Sequence, residues 1–551
     1  MADFDTHSVF NQASPFQDVN LFACDPALQE AVAREGAGWA GSQLYALGWD
    51  LGQAEMQELA RQANAQGPRH QMYDRGGRRV DEIEFHPAWH SIMARMISEG
   101  VHASPWDSGQ PGAHVARAAQ YLLFGQWENG AQCPVTMSFA SVPALRQAPP
   151  AIVATWLPKL LSRQYDAHSR PVTEKTGVLI GMGMTEKQGG TDVRANTTFA
   201  RPLGDPAQDA WEIVGHKWFF SAPQCDAHLI LAQTEPGSSR GLSCFFVPRF
   251  LPDGQRNAIR VQRLKDKLGN KSNASSEVEF HGAQGWLVGA IGRGVPTILE
   301  MGSLTRLDCV IGTAGILRAA LTHALHHARQ RHVFGKPLAQ QPLMQNVLAD
   351  LALESEAATA FALRLARCFD ESADPAQQAL GRLLTPAGKY WLCKRGPGFG
   401  AEAMEVMGGN GYVEDGPLAR LYRELPVNSI WEGSGNVMCL DVLRALAKSH
   451  AARDALLAEL QLAVGRDPAF DRALSALTLS LASPQQDETM ARVLAERIVL
   501  LVQAGLLLRH APPYVSQPFV ASRLPEGPGG AYGRLPASTD FELILGRALT
   551  A

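Results

Sequence analysis

The stretch Ile430-Trp431-Glu432-Gly433-Ser434-Gly435-Asn436 restricts the fold and chemistry of this chain more than any other. It places the carboxylate of Glu432 between a bulky aromatic residue and a Gly-x-Gly turn, where the backbone can closely approach a flat ligand. A carboxylate in an apolar niche can act as a general base, because burial disfavours its charged form. The same pattern is also typical of a solvated turn, so this segment alone leaves both interpretations open.

A second cluster of small, polar and aromatic residues lies far upstream. It runs Gly181-Met182-Gly183-Met184-Thr185-Glu186-Lys187-Gln188-Gly189-Gly190-Thr191-Asp192 and is followed by Lys217-Trp218-Phe219-Phe220-Ser221. A dinucleotide-binding turn needs Gly-x-Gly-x-x-Gly, but Glu186 stands at the sixth position, and residues 408–411 also fail the pattern. No strand, glycine-rich turn and helix accompany either segment, which argues against a Rossmann site.

Length and composition indicate a large globular enzyme. With 551 residues the chain exceeds the size of one compact core, so three or four domains are expected. A hydrophobic share of 46% and a charged share of 19% argue against a disordered protein. The net charge of -4 gives no overall attraction to nucleic acid or to anionic membranes.

The cysteines, the histidines and the apolar runs argue against a disulfide scaffold, a metal site and a membrane segment. The eight cysteines are scattered without a Cys-x-x-Cys pair, which is typical of reduced thiols and not of a disulfide scaffold or zinc site. His323 and His327 have i,i+4 spacing but no adjacent Glu and no third ligand, so no metal site is expected. No secretory signal is readable, and the most apolar run, Ile498 to Leu508, is too short to span a bilayer. We therefore expect a cytoplasmic protein without a membrane segment.

The hydrophobic periodicity divides the chain into helical and β-rich regions. Apolar residues at three-to-four spacing predict helices from about Asp25 to Ala167 and again from Gly294 onward. Between them, short runs of β-formers separated by turn residues predict a small β-domain. The expected fold class is therefore a multidomain α+β protein. The predicted domains are an N-terminal helical domain (1–180), a β-domain (181–290), a helical bundle (291–445) and an extra C-terminal helical domain (446–551).

Taken together, the two clusters resemble the flavin-facing segments of the acyl-CoA dehydrogenase family. Further segments match in the family's order and spacing: Arg306, Arg331-x-x-Phe334-Gly335, Gly408-Gly409-x-Gly411 and Trp431-Glu432-Gly433. Other stretches resemble one branch, the AidB-type flavoproteins of the adaptive response to DNA alkylation, at residues 9–12, 34–39, 182–190, 215–221, 263–270 and 427–436. The resemblance implies an acyl-CoA dehydrogenase-like fold, with a helical N-terminal domain, a central β-barrel flavin domain and a helical bundle, assembled as a homotetramer.

The resemblance also implies one non-covalent FAD per subunit. In the family, the arginine that matches Arg331 reaches the diphosphate of the cofactor across a subunit interface. A basic helix C-terminus that complements the macrodipole is the alternative interpretation of this segment. Glu405 stands where the family usually has Gln, ahead of its Gly-Gly turn. The implied cofactor-binding residues are Met182, Met184, Thr185, Gly190, Thr191, Phe219, Phe220, Ser221, Arg331, Phe334, Gly408, Gly409, Ile430, Trp431, Gly433, Ser434 and Asn436.

The implied reaction is α,β-dehydrogenation of an acyl-CoA or a related thioester, which makes the chain an FAD-dependent oxidoreductase. Glu432 takes the α-proton as the general base, the flavin accepts the β-hydride, and Arg306 contacts the substrate. Some short-branched-chain members carry their base just before the arginine that matches Arg306. Thr305 stands there and cannot serve, so Glu432 is the candidate from these two places. The sequence does not define the electron acceptor.

Two functions fit these residues. The first is an AidB-type role in the response to DNA alkylation, with binding to double-stranded DNA through Arg444 and Arg523 and weak activity on substrates such as isovaleryl-CoA. The alternative is a metabolic short- or branched-chain acyl-CoA dehydrogenase without a DNA role. From Ala451 onward there are nine Arg and no Lys against ten Asp plus Glu, so the composition of this region does not support DNA binding. Its arginines are equally compatible with an ordinary solvated surface, and an oxidase that uses molecular oxygen is a third option.

Overall fold

The computed structural model describes residues 6–206, 209–235, 241–448, 450–482, 487–525 and 530–550. The chain divides into two compact units. We call the first the bundle unit; it comprises Met1–Gln57, Ala118–Trp127 and Cys309–Ala551. We call the second the barrel unit; it comprises Glu58–Arg117 and Glu128–Asp308.

Most of the described chain is helical. The helices are α1 (Pro26–Arg34), α2 (Gly41–Leu51), α3 (Ala54–Ala65), α4 (Pro87–Ser98), α5 (Ser104–Asp107), α6 (Ala113–Trp127), α7 (Gln132–Leu145), α8 (Pro150–Leu160), α9 (Gly294–Gln330), α10 (Pro342–Asp370), α11 (Pro375–Val406), α12 (Gly409–Tyr412), α13 (Pro417–Asn428), α14 (Gly435–Lys448), α15 (His450–Gln461), α16 (Pro468–Ala482), α17 (Ala491–His510), α18 (Pro513–Arg523) and α19 (Phe541–Ala548).

The strands form one large sheet and two hairpins. They are β1 (Arg69–Tyr73), β2 (Arg79–Glu84), β3 (Ile180–Gly183), β4 (Phe199–Pro202), β5 (Trp211–Ser221), β6 (Ala227–Gln233), β7 (Leu242–Pro248), β8 (Ile259–Leu264), β9 (Ser275–Val288), β10 (His332–Val333) and β11 (Lys336–Pro337). The hairpin β1–β2 interrupts the region predicted to be mostly helical. Its turn contains Gly77 in the left-handed region, at a φ of 79°.

The seven-stranded sheet of the barrel unit closes on itself. Its order is β3-β6-β4-β5-β9-β7, with β8 on β9, and β7 pairs with β6 as well as with β9. Closure leaves fewer open strand edges, although among the described strands β3 and β8 each pair with one strand only. The interior is filled by inward-facing apolar side chains that include Ile213, Phe220, Ile230, Phe245 and Phe280.

Helix α11 lies at the centre of the bundle unit. It packs against α10, α13, α14, α15 and α17. Its side chains are buried on several faces, from Leu380 through Phe399, which is typical of a helix surrounded by others. The connection between α13 and α14, which contains Glu432, therefore lies beside a rigid central helix.

The order of helices, β-barrel and helices confirms the predicted fold class. The bounds of the four predicted domains remain a prediction. All eight cysteines are free thiols, and seven of them are buried. In the described ranges, none of the helices combines the length and apolar character needed to cross a membrane.

Candidate functional site

Glu432 lies in a tight turn between α13 and α14. Its φ of 59° and the φ of 103° at Gly433 place both residues in the left-handed region of backbone conformation. For a residue with a long side chain this conformation is unfavourable, and it persists only where the surroundings enforce it. The Glu432 side chain is half-buried. The turn is therefore held in a specific, strained conformation, as expected of a functional segment.

A buried lysine on the central helix contacts this turn. Lys389 of α11 is 1% exposed, and its Nζ donates hydrogen bonds to the carbonyl oxygens of Trp431, at 2.6 Å, and of Gly433. These two carbonyls belong to the residues on either side of Glu432. Lys389 was not among the residues predicted from the sequence. Its signal there is a single charge in the largely apolar run from Leu383 to Leu392.

The indole of Trp431 is anchored from the opposite side of the turn. Its Nε1 donates to Asn428 Oδ1 at 3.0 Å, and Asn428 Nδ2 donates to Thr313 Oγ1 at 3.1 Å. Asn428 and Thr313 are both buried. This chain of hydrogen bonds fixes the orientation of a large aromatic ring directly before Glu432.

The remaining residues of the turn are more accessible. Ile430, Ser434 and Asn436 are exposed. Asn436 Oδ1 accepts a hydrogen bond of 2.9 Å from Arg492 Nε, so helix α17 of the C-terminal region contacts the turn. The exposed side of the turn is thus available to a ligand, while its buried side is fixed by α11 and α13.

In the barrel unit, the glycines of the Gly-Met-Gly segment allow β3 to lie close to aromatic rings. A Cβ added to Gly181 would lie 2.4 Å from the His228 ring, and one added to Gly183 would lie 2.4 Å from the Phe220 ring. Side chains at these positions would collide with the rings, so both positions require glycine. These glycines serve packing and do not form a phosphate-binding turn.

Phe220 lies inside the barrel and not on its surface. It is 1% exposed, and its ring centroid is 4.1 Å from that of His228. Its ring therefore cannot reach a cofactor, which corrects the prediction for this side chain. Met182 is also buried within β3. The alternation of β5 turns Phe219 outward instead, where it is 54% exposed.

A fully buried ion pair fixes the loop that follows β3. Lys217 Nζ lies 2.8 Å from Glu186 Oε1, and neither side chain has exposed surface. Glu186 also accepts hydrogen bonds from the backbone of Thr197 and Thr198. Burial opposes ionisation of this carboxyl, but the charge and hydrogen bond of Lys217 prevail and hold the pKa of Glu186 at about 2. The pair sets the path of the loop that carries Thr185 and was not identified from the sequence.

The accessible groups of this loop fit a flat, polar ring system. The Thr185 carbonyl accepts a hydrogen bond of 2.8 Å from the backbone N–H of Trp218, which places Thr185 beside the exposed Phe219. Thr185 and Ser221 are half-buried, and Gly190 and Thr191 are exposed. The exposed ring of Phe219, which has Lys265 Nζ 4.8 Å from its centroid, offers a surface for stacking, and the accessible hydroxyl groups of this region offer hydrogen bonds, which together suit the isoalloxazine of a flavin.

Arg331 and Phe334 lie on the β10–β11 hairpin of the bundle unit. Arg331 Nη1 donates a hydrogen bond of 2.5 Å to the carbonyl oxygen of Asn11, and the side-chain amide of Asn11 exchanges two hydrogen bonds with the backbone of His332. Phe334, with a φ of 50°, is 99% exposed. The N-terminal segment thus orients an arginine that was predicted to bind the cofactor, although the two are far apart in sequence.

Asn11 offers a test of this arrangement. We expect Asn11→Ala to destabilise the hairpin by about 1–3 kcal/mol, because the backbone of His332 loses both partners. The purified variant should release FAD faster than the parent protein in a dilution assay that follows flavin fluorescence. Gln12→Ala in the same segment is the matched control. Equal release rates for Asn11→Ala and the parent would show that the N-terminal segment does not act on Arg331.

The other predicted residues lie apart from the Glu432 turn in sequence and differ in exposure. Gly408 and Gly409 are exposed after α11, and Gly408 has a φ of 60°, which terminates the helix. Arg306 is half-buried on α9, after the buried Thr305. Among the described residues, no group of three or more His, Cys, Asp or Glu side chains is arranged to hold a metal ion.

The two predicted DNA contacts differ in accessibility. Arg444 is exposed on α14, with Lys448 exposed one turn later. Arg523 instead pairs with Asp350 and, at 3.2 Å, with Glu354, and 12% of its side chain is exposed. Its guanidinium is neutralised by two carboxylates inside the protein. This contradicts the prediction that Arg523 contacts DNA.

Three family models match consecutive parts of the chain. They are the adaptive response protein AidB N-terminal domain over residues 11–167, the acyl-CoA dehydrogenase middle domain over residues 181–283, and the acyl-CoA dehydrogenase C-terminal domain over residues 292–447. The matched regions contain Asn11, the barrel and the Glu432 turn. Members of the acyl-CoA dehydrogenase family bind FAD.

Individual proteins resemble nearly the whole chain. AidB of Escherichia coli (strain K12) is 52% identical over 93% of this chain and 93% of its own length. A solved structure described as Bd2924 apo-form is 31% identical, with a TM-score of 0.83, and covers 92% of this chain and 100% of its own. Caenorhabditis elegans ACDH-11 in complex with C11-CoA is 26% identical, with a TM-score of 0.83, and covers 99% of this chain and 93% of its own. The chain therefore belongs to the acyl-CoA dehydrogenase family, with its similarity to AidB extending from the N-terminal domain through most of the sequence.

Proposed function

We propose that this protein is an FAD-dependent acyl-CoA dehydrogenase in which Glu432 is the general base. The observation that carries the proposal is the strained turn of Glu432, whose two neighbouring carbonyls are held by Lys389. Backbone strain maintained by buried hydrogen bonds is characteristic of functional positions. The C11-CoA complex of the similar ACDH-11 supports an acyl-CoA as the ligand class.

Each predicted residue has a defined task in this reaction. When bound, FAD supplies the two-electron acceptor for the β-hydride. Glu432 accepts the α-proton on its carboxylate, and the indole of Trp431, which Asn428 holds by a hydrogen bond, lies directly before it in the turn. The hydroxyl groups of Thr185, Thr191 and Ser221 would hold the ring of a bound cofactor by hydrogen bonds, and the guanidinium of Arg331 would bind a diphosphate group. We assign Arg306 to contact with the substrate.

The substrate we propose is a short branched acyl-CoA such as isovaleryl-CoA. Trp431 supports this choice, because ordinary dehydrogenases of the resembled family usually have Tyr at this position. A fixed indole leaves less room for the acyl chain than a phenol ring does. The opposing consideration is the C11 chain in the ACDH-11 complex, so acyl-chain length is part of the test.

Anaerobic mixing of the purified flavoprotein with acyl-CoA tests this function. Isovaleryl-CoA should bleach the flavin absorbance near 450 nm, and mass spectrometry should detect a product lighter by two hydrogens. A C11 acyl-CoA should bleach more slowly if Trp431 limits the pocket. Absence of bleaching by both compounds, at full FAD occupancy, would rule out the proposed reaction.

A second candidate function is binding of double-stranded DNA in the adaptive response to alkylation damage. The observation that favours it is the pair of exposed cations Arg444 and Lys448 on one face of α14. Packing of α17 against α14 brings a second helix with the exposed arginines 492 and 497 into the same part of the bundle unit. Clustered cations bind the phosphate backbone by releasing counterions.

Charge removal on α14 tests the DNA proposal. The double variant Arg444→Gln/Lys448→Gln should bind duplex DNA more weakly, and the slope of log affinity against log salt should become shallower by about 2, because two phosphate contacts are lost. Lys271→Gln, which removes an exposed cation of the barrel unit, is the control and should leave that slope unchanged. An unchanged slope in the α14 variant would contradict the assignment.

We further propose a homotetramer. The support is the resemblance, in which the arginine matching Arg331 acts across a subunit interface. One chain has a mass of 59.6 kDa, and light scattering of the purified flavoprotein should give four times this value. A monomeric mass at full FAD content would contradict this assembly.

A further inference from the structure

We propose that Lys389 is a positioning residue that aims the carboxylate of Glu432 by binding the carbonyl oxygens on both sides of it. The inference rests on the proposed function of Glu432 and extends it to a residue in the core of the bundle unit. It concerns the orientation of the base, since Lys389 bonds to the backbone of the turn and not to a reacting group.

The geometry restricts the backbone at Glu432 from both sides. Nζ of Lys389 donates to the carbonyl of Trp431, which belongs to the peptide group preceding Glu432, and to the carbonyl of Gly433, which belongs to the peptide group between Gly433 and Ser434. Fixing these two peptide groups restricts the φ and ψ angles of Glu432 and Gly433, which lie between them. One ammonium group can satisfy both carbonyls only when Glu432 adopts a compact turn, and its observed φ of 59° agrees with this requirement.

Burial makes these hydrogen bonds strong. Lys389 is 1% exposed, so water does not compete effectively for its ammonium group or for the two carbonyls. Charged donors form shorter and stronger hydrogen bonds than neutral ones. Burying an ammonium group is unfavourable unless it is well solvated by the protein, and an apolar side chain would pack here at lower cost. The two bonds to the turn provide a specific reason for a lysine at this position.

The helix that carries Lys389 also limits motion of the turn as a whole. Tyr390, the next residue of α11, lies against Gly435, where an added Cβ would be 3.4 Å from its ring. Consecutive residues of one rigid helix thus contact the beginning and the end of the segment from Trp431 to Gly435. The position of the carboxylate is set by α11 and not by the flexibility of a surface loop.

The experiment compares Lys389→Met in two backgrounds, the wild-type protein and Glu432→Gln. Methionine keeps a side chain of similar length but removes all donors. In the wild-type background, bleaching by saturating isovaleryl-CoA should slow by about 10- to 100-fold, since small misplacements of a reacting group have effects of this size. FAD content and the half-saturating acyl-CoA concentration should change little. In the Glu432→Gln background, Lys389→Met should cause no further slowing, because the base through which it acts is already absent.

Lys271→Met is the charge control, because Lys271 is exposed in the barrel unit and its removal changes the net charge equally. Full bleaching rate in Lys389→Met at normal FAD content overturns the proposal, and so does an equal loss in both backgrounds. If Lys389→Met does not yield folded flavoprotein, Lys389→Gln replaces it in both backgrounds. Its amide keeps a hydrogen-bond donor but carries no charge, and the bleaching rates are compared in the same way. Failure of the proposed function has a different signature, since Glu432→Gln alone would then bleach at the wild-type rate.

Discussion

Glu432→Gln should slow reduction of the bound flavin by isovaleryl-CoA by about 10²- to 10⁴-fold, the contribution typical of a positioned general base. The amide has nearly the shape of the carboxylate but cannot accept the α-proton at neutral pH. The substitution keeps the two hydrogen bonds from Lys389, because these end on the backbone carbonyls of Trp431 and Gly433. Stopped-flow measurement of flavin absorbance under anaerobic conditions gives the rate.

The comparison requires that FAD content and thermal stability match those of the parent protein. Glu488→Gln, an exposed substitution in the C-terminal region, controls for the loss of one negative charge. A Glu432→Gln protein that bleaches within about twofold of the parent would show that another group removes the proton.

The largest effect on stability is expected from Lys217→Met in the barrel unit. Removing one partner of a buried ion pair leaves the other charge unpaired in the interior, at a cost of about 3–5 kcal/mol. Lys217 also donates to the Leu231 carbonyl at 2.8 Å, so its loss affects β6 as well. Urea unfolding should show the lower stability, and the variant should lose FAD because the loop with Thr185 is released.

The ion pair also predicts an acid transition. The pKa of Glu186 is about 2 in the folded protein against an ordinary value of 4.5, so its contribution to stability is complete above pH 4.5 and is lost as the pH falls towards 2. In Lys217→Met, the free energy of unfolding should no longer contain the contribution of Glu186 that the parent protein loses between pH 4.5 and pH 2. Lys271→Met, an exposed substitution in the same unit, should behave like the parent. Equal stability of Lys217→Met and Lys271→Met would contradict the role given to the pair.

The sequence predicted those parts of the fold that depend on local patterns. The runs within β5, β6, β7 and β9 were evident because alternating or continuous β-formers lie between turn residues. The helices α9 and α10 were evident from apolar residues at helical spacing. The hairpin β1–β2 was missed because its strands are polar and half-exposed, so they carry no hydrophobic alternation.

The candidate site was predictable only where a residue belongs to a recognisable segment. Glu432, Thr185 and Phe219 were named from such segments. Lys389 and Asn11 act on residues distant in the chain through hydrogen bonds to backbone atoms, so the sequence could show at most an unusual residue, such as a lysine in a largely apolar run, and not its partner. Phe220 and Arg523 were misassigned because a residue type and its neighbours do not reveal whether a side chain faces the interior or already has a buried partner.

The central claim is that Glu432 removes a proton from the α-carbon of an acyl-CoA, and deuterium exchange tests it most directly. Isovaleryl-CoA is incubated with the flavoprotein in D2O, and incorporation of deuterium at the α-carbon is followed by NMR. Wild-type protein should catalyse incorporation, while Glu432→Gln with full FAD content should show only the rate of the protein-free solution. Equal incorporation by both proteins, or none by the wild type, would contradict the assignment of Glu432 as the base.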